Sequence, residues 1–160
     1  MRSRAEIYRT FVERFAVQSI SSPASGRAPS ATELETVEQA LNARFPASYR
    51  QFVQRYGCVW TPHLDDHLES AGRLVERGIE AFTPVDEMIA SDQWNASIPQ
   101  PLLLFASDAL GDMIGFPKTS EMTDDLPVML FDHEFNELTE LANSFDSLLS
   151  AYLACGTVGT

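Results

Sequence analysis

Two histidines, His63 and His67, have the clearest potential for chemistry, because they stand four positions apart with Asp65 and Asp66 between them. On a helix this spacing places both imidazoles on one face, where they and a carboxylate could bind a metal ion, so a metal-dependent hydrolase is one hypothesis. Leu64 stands where the H-E-x-x-H motif needs its general base, and the reversed motif would need glutamate in place of Asp66. We favour exposed polar residues on an acidic helix, and we predict no metal and no cofactor.

Two further acidic groups could take part in proton transfer. Asp108 and Asp112 flank Gly111 and are candidate paired carboxylates, while the Asp-His-Glu segment at 132–134 could form an acid–imidazole pair. Tight turns select the same residue types, because an aspartate side chain accepts hydrogen bonds from nearby backbone N–H groups. We therefore favour turn roles for both groups.

The two cysteines, Cys58 and Cys155, are too few for a disulfide framework and lie in apolar sequence. This usage is typical of buried, reduced thiols in the cytoplasm. Cys58 precedes Val59 and Trp60, which indicates a buried and inert thiol rather than a nucleophile. Since no Ser-His-Asp, Cys-His or phosphate-loop pattern stands out, we predict that the protein is not an enzyme.

The net charge of −12 over 160 residues is unevenly distributed. Residues 1–60 contain 8 arginines and 5 acidic residues, whereas residues 61–160 contain 2 arginines, 1 lysine and 18 acidic residues. An acidic chain is a poor nucleic-acid binder, because phosphate neutralisation needs a basic face. The negative charge serves solubility, and it can also steer a basic protein partner into contact.

No segment is typical of export or of membrane insertion. Charged residues interrupt any apolar run in the first twenty positions, and nowhere do 18 apolar residues follow one another. We expect a cytoplasmic protein without a membrane partner.

Apolar periodicity and turn residues predict helices in the first half of the chain and strands mainly in the second. Helices are predicted over residues 4–18, 31–45, 47–56, 64–75, 84–92 and 144–155. Strands are predicted over residues 79–82, 102–105, 113–116, 128–131 and 138–141. Two overlapping capping-box candidates, Ser30 with Glu33 and Thr32 with Glu35, begin the second helix, and Pro46 ends it. Thr83 is the predicted N-cap of the helix at 84–92.

This order of elements predicts an α+β fold, with a mainly antiparallel sheet of about 4–6 strands and helices packed around it. We expect one domain over residues 1–160. Within it, residues 1–20 hold the N-terminal helix, residues 21–30 form a Ser- and Pro-rich loop or linker, and residues 31–155 form the core.

Four segments in order carry a family resemblance. They read FPASYRQF at 45–52, FASDALGDMIGF at 105–116, PVMLFDHE at 127–134 and SFDSLL at 144–149. Over about residues 30–153 the chain resembles the SMI1/KNR4, or SUKH, superfamily. The resemblance implies an α+β binding protein without a catalytic constellation. Many members are bacterial immunity proteins that bind a cognate toxin, often a nuclease, and others are cellular scaffolds or regulators.

Charge and resemblance together predict a protein-binding domain that neutralises a basic toxin by covering its surface. A regulator or scaffold with cellular partners is the alternative, and the partner's identity and the oligomeric state are left open. The acidic face that would meet the toxin is predicted to contain six aspartates: Asp65, Asp66, Asp108, Asp112, Asp124 and Asp125.

Overall fold

Six α-helices and a five-stranded antiparallel sheet make up the regular structure in the computed structural model, which describes residues 2–17, 27–72 and 77–155. The helices are α1 (Arg4–Phe15), α2 (Ala31–Leu41), α3 (Ala47–Tyr56), α4 (Leu64–Ser70), α5 (Val85–Ser91) and α6 (Phe145–Ala154). The strands are β1 (Ala81–Phe82), β2 (Leu102–Ser107), β3 (Met113–Pro117), β4 (Val128–Asp132) and β5 (Glu137–Ala142). A 3₁₀ turn, Asp92–Ser97, follows α5.

The sheet is a meander, because each strand pairs antiparallel with the next one along the chain. The predicted α+β fold is therefore confirmed. Each of β2 to β5 begins within one residue of its predicted start, since the Gly- and Asp-containing turns between them are strong local signals. None of the helices in the described ranges is long and apolar enough to cross a bilayer.

The helix boundaries confirm some sequence signals and correct others. The Ser30 hydroxyl accepts a hydrogen bond from the Glu33 N–H, and the Glu33 carboxylate accepts one from the Ser30 N–H, so the first of the two candidate capping boxes is the one that forms. The predicted end of this helix at Pro46 is wrong. Asn42 adopts the left-handed conformation (φ 52°) and stops α2 at Leu41, because this backbone turns the chain away from the helix axis.

Two further boundaries differ from the predictions. Thr83 is not the N-cap of α5, because Pro84 takes that position and the Thr83 N–H instead donates to the Phe105 carbonyl at 2.8 Å. Helix α4 ends at Ser70 instead of residue 75, but it has the predicted exposed polar residues, because Leu64 and Leu68 are buried while Asp66 and Glu69 are exposed. Most of the predicted loop at 21–30 and the apolar positions 74 and 75 lie outside the described residues.

The core lies between the helices and one face of the sheet, here called the inner face. It is rich in aromatic rings, and Phe105 and Phe116 on neighbouring strands stack with their centroids 4.3 Å apart. Helix α1 adds Phe11, whose ring stacks on Tyr152 of α6 at 6.2 Å. Because these aromatic rings are buried against one another, they form part of the hydrophobic core.

Stability is expected to fall as the pH rises above 9, because burial raises the pKa of the Cys58 thiol to about 12. In the unfolded chain this thiol ionises near pH 9, so at higher pH the unfolded state holds fewer protons than the folded state. The loss attributable to Cys58 between pH 8 and pH 10 is about 1 kcal/mol. Urea unfolding at both pH values should show a smaller loss in Cys58→Ala than in the wild type, with Cys155→Ala as the buried-thiol control. Equal losses in the wild type and in Cys58→Ala would contradict this assignment.

Candidate functional site

Two of the predicted aspartates converge on one arginine at the end of the sheet. Arg77 donates from one guanidinium nitrogen to Oδ2 of Asp108 at 2.9 Å and to Oδ2 of Asp112 at 3.3 Å. A second guanidinium nitrogen lies 3.7 Å from Oδ2 of Asp132. The side chains of Asp108 and Asp112 are only 1% and 3% exposed. We call Arg77, Asp108, Asp112, Asp132 and His133 the arginine cluster.

The second oxygen of each buried carboxylate organises the turns. Asp108 Oδ1 accepts from the N–H groups of Leu110 and Asp112, which confirms its predicted turn role. Asp112 Oδ1 accepts from the His133 N–H at 3.2 Å and lies 2.5 Å from the His133 ring Nδ1. The β2–β3 turn and the β4–β5 turn are thereby joined.

Burial raises the pKa of Asp108 above its usual value, despite the lowering effects of the backbone N–H groups and of Arg77. The oxygens of both carboxylates nevertheless accept hydrogen bonds from Arg77 and from backbone N–H groups of the protein. The cluster is therefore arranged to hold turns together rather than to exchange protons with a substrate. Asp108 and Asp112 do not belong to an exposed acidic face, and that part of the prediction is wrong because Arg77 allows both to be buried.

Asp124 and Asp125 lie at a different place, where α1 meets α6. Asp124 is exposed and forms a two-point ion pair with Arg4 at 2.7 and 3.1 Å, which lowers the pKa of its carboxyl group. Asp125 accepts from the Ser48 hydroxyl and from the N–H groups of Phe145 and Asp146 at the start of α6. Asp125 therefore holds helix ends together, and Asp124 presents a carboxylate that already has one cationic partner.

Asp65 and Asp66 lie in the first turn of α4. Asp65 Oδ1 accepts from the Gly78 N–H at 2.9 Å, while Asp66 is exposed. Among the six predicted aspartates, only Asp66 and Asp124 are exposed. The six lie in three separate places: the arginine cluster, the contact between α1 and α6, and the first turn of α4. Their role in partner binding stays a prediction.

The histidine pair has an arrangement that favours packing over metal binding. His63 is exposed and precedes α4, whereas His67 in the same helix packs edge-on against Phe15 of α1 with ring centroids 5.1 Å apart. The His67 Nε2 atom is buried without a hydrogen-bond partner. In the described ranges, no group of three or more His, Cys, Asp or Glu side chains is arranged to hold a metal ion.

A second apolar surface, which sequence reasoning missed, covers the side of the sheet that faces away from the core. We call it the outer face. Because side chains alternate along a strand, Leu103 and Phe105 of β2 belong to the core while Leu102 and Leu104 point to the outer face. A small cluster there is buried at Ile98, Leu102, Leu104 and Phe131, and partly buried at Met113, Met129 and Leu138.

Three large apolar side chains at the margins of this face are open to solvent. Trp94 of the 3₁₀ turn is 52% exposed and lines a groove with Leu104 and Met113. Leu110 in the β2–β3 turn is 67% exposed, and Phe135 in the β4–β5 turn is 68% exposed. The strongest sequence signal for this surface was β4, whose Val-Met-Leu-Phe run is apolar on both of its faces.

Comparison with known families matches residues 28–151 to the profile of the SMI1/KNR4 family (SUKH-1). The match spans α2 to α5, the whole sheet and most of α6, and leaves α1 outside. A search of curated proteins found no similar sequence.

Proposed function

Because this chain belongs to the SMI1/KNR4 family (SUKH-1), we propose that it is a non-enzymatic protein-binding domain and acts as an immunity protein that neutralises a cognate toxin. The immunity protein would cover the toxin's functional surface. A basic toxin such as a nuclease fits this role best, because a nuclease grips phosphates with cationic side chains that an acidic protein can occupy.

The distribution of exposed charge is the observation that carries the proposal. Among the described residues beyond position 60, nine acidic side chains are exposed. They are Asp66, Glu69, Asp86, Glu87, Glu121, Asp124, Glu134, Glu137 and Glu140. The two cations in the same ranges are neutralised, Arg77 by the arginine cluster and Lys118 by Asp92 at 2.9 Å. This surface therefore attracts a cationic partner and repels nucleic acid.

The function is tested by isolating the partner and by measuring protection. The tagged chain is used to purify partners from its own cells at low and moderate salt, and retained proteins are identified by mass spectrometry. We expect one basic protein in equal amount. Expressed alone in a test strain, that protein should stop growth, and co-expression of this chain should restore it. Retention of several housekeeping proteins, with no effect on growth, would instead favour the regulator or scaffold.

Charge reversal should weaken the complex in a salt-dependent way. The triple variant Asp66→Lys, Glu69→Lys, Glu87→Lys is expected to lower the association rate roughly tenfold at low salt, because it removes the field that steers a cationic partner. The matched control, Glu6→Lys, Glu13→Lys, Glu35→Lys, changes the net charge equally on α1 and α2, in the part of the sequence that holds eight arginines. Stopped-flow binding over a range of salt concentrations gives both rates. Identical rates for the two variants would rule out steering by the acidic part.

A further inference from the structure

The outer face presents a continuous apolar strip across three strands. The strand register places Met113 of β3 opposite Phe131 of β4, and Phe131 opposite Leu138 of β5. In the next row on the same face, Met129 lies beside Gly115. Phe131 is buried, but the two methionines and the leucine are only partly buried. Water therefore reaches apolar side chains on this strip, which is unfavourable. A bound partner would cover these side chains and remove that cost.

Exposed apolar groups lie beside Met113 and on the turns at one end of the sheet. Trp94 continues the strip beyond Met113, with which it shares a groove. Phe135 and Leu110 stand on the two turns that the arginine cluster joins, so they lie at the same end of the sheet. Aromatic and methionine side chains are enriched at protein interfaces, because they bury a large area and methionine adapts its shape.

The charges around the strip are acidic. Glu140 of β5 lies opposite Met129 in the register, and Glu87 lines the Trp94 groove. Glu134 and Glu137 are exposed on the β4–β5 turn and at the start of β5. Lys118, the only lysine in the sequence, is paired with Asp92. An apolar strip bordered by these glutamates is complementary, in both hydrophobicity and charge, to an apolar segment of a partner that is flanked by lysine or arginine.

We propose that the outer face is the toxin-docking surface and that the partner inserts such an apolar segment, flanked by lysine or arginine, against Met113, Met129 and Trp94. This inference rests on the proposed function and adds its location and chemistry. A second copy of this chain fits poorly, because two outer faces brought together would oppose their carboxylates in a chain of net charge −12.

The chain offers a matched pair of variants for the test. Met129→Gln with Glu140→Lys changes one apolar and one acidic side chain on the outer face. Met122→Gln with Glu121→Lys makes the same change where Met122, 74% exposed, lines a groove beside α2. Calorimetry with the purified basic partner should show at least a tenfold weaker Kd for the outer-face variant, and a change of less than twofold for the control. Circular dichroism confirms that both variants are folded.

A crosslinking experiment uses a different readout, in case the outer-face variant does not fold. The photoreactive p-benzoylphenylalanine is placed at Trp94, an aromatic and exposed position, or at Met122 as the control. In the complex, a crosslink to the basic partner from position 94 and none from position 122 supports the proposal. A crosslink to a second copy or within the chain, or no crosslink from position 94, overturns it.

The two proposals can fail separately. If the partner is toxic and this chain protects against it, but the outer-face variant binds as tightly as the control, the docking surface is wrong and the function stands. If no protein is both captured and neutralised, the immunity function itself is wrong.

Discussion

Arg77→Met is expected to destabilise the folded protein by about 3–5 kcal/mol at pH 7, the cost of leaving buried charges without their partner. Arg77 donates to Asp108 and Asp112, whose side chains are almost entirely buried. Methionine keeps the apolar stem but supplies no positive charge. Chemical unfolding in urea, monitored by circular dichroism, measures this loss.

The loss in Arg77→Met should shrink as the pH falls. Burial already raises the pKa of Asp108, so between its unfolded and folded pKa values the folded state holds more protons than the unfolded state, and stability falls as the pH rises through that interval. Because Arg77 lowers the pKa of Asp108, its removal should raise that pKa further, and the stability of the variant should therefore increase more than that of the wild type as the pH is lowered from 7.

Two companion variants isolate the ionic contribution of Arg77. Arg9→Met removes an exposed arginine from α1 and should change stability by less than about 0.5 kcal/mol. Adding Asp108→Asn to Arg77→Met should recover part of the loss, because the amide oxygen can still accept the turn hydrogen bonds without carrying a charge. A loss in Arg77→Met no larger than in Arg9→Met would mean that the cluster does not stabilise the fold.

Gly115→Ala is expected to cost about 2–3 kcal/mol, although it adds a single methyl group in the middle of β3. A Cβ atom at this position would lie 2.8 Å from the Leu103 carbonyl oxygen and 3.0 Å from the Leu102 Cβ atom. Both belong to the paired strand β2, where the register shifts between Leu104 and Ala106. The strands must separate to admit the methyl group, and the shift in the thermal unfolding midpoint reports the cost.

Asparagine substitutions provide the control for this steric argument. Gly111 has φ +82°, a left-handed conformation that asparagine tolerates. A Cβ atom at this position would have no other atom within 4 Å, so the side chain in Gly111→Asn has room. Gly115→Asn meets the same β2 backbone as Gly115→Ala. We therefore expect Gly111→Asn to be nearly neutral and Gly115→Asn to be at least as destabilising as alanine. Similar losses at the two positions would contradict a steric origin.

Signals that act within a few residues were sufficient to predict most of the elements. The capping box of Ser30 and Glu33 and the turn between β2 and β3 depend on contacts that sequence spacing alone defines. The error at the end of α2 has the opposite cause. Phe45 continues the apolar period of the helix, but the left-handed turn at Asn42 places it in the core from a loop. Periodicity shows which residues are buried and does not show which backbone buries them.

The candidate site was harder to predict, because its partners come from distant parts of the chain. The turn roles of Asp108 and Asp112 follow from their neighbours, but their burial depends on Arg77, more than 30 residues away in sequence. Likewise, the apolar run of β4 predicts a strand with two apolar faces, and only the arrangement of the helices decides which face stays open.

Helices α1 and α6 are neighbours in space, although they lie far apart in the sequence and α1 is made earlier. Arg4 Nε of α1 donates to Asp146 of α6 at 2.7 Å across 142 residues of sequence. At a synthesis rate of roughly 5–20 residues per second, α1 leaves the ribosome on the order of ten seconds before α6 does, although α3, on which α1 also packs through Phe52, follows sooner. The apolar side chains that α1 buries against α6, Phe11 among them, therefore stay without that cover until translation reaches α6.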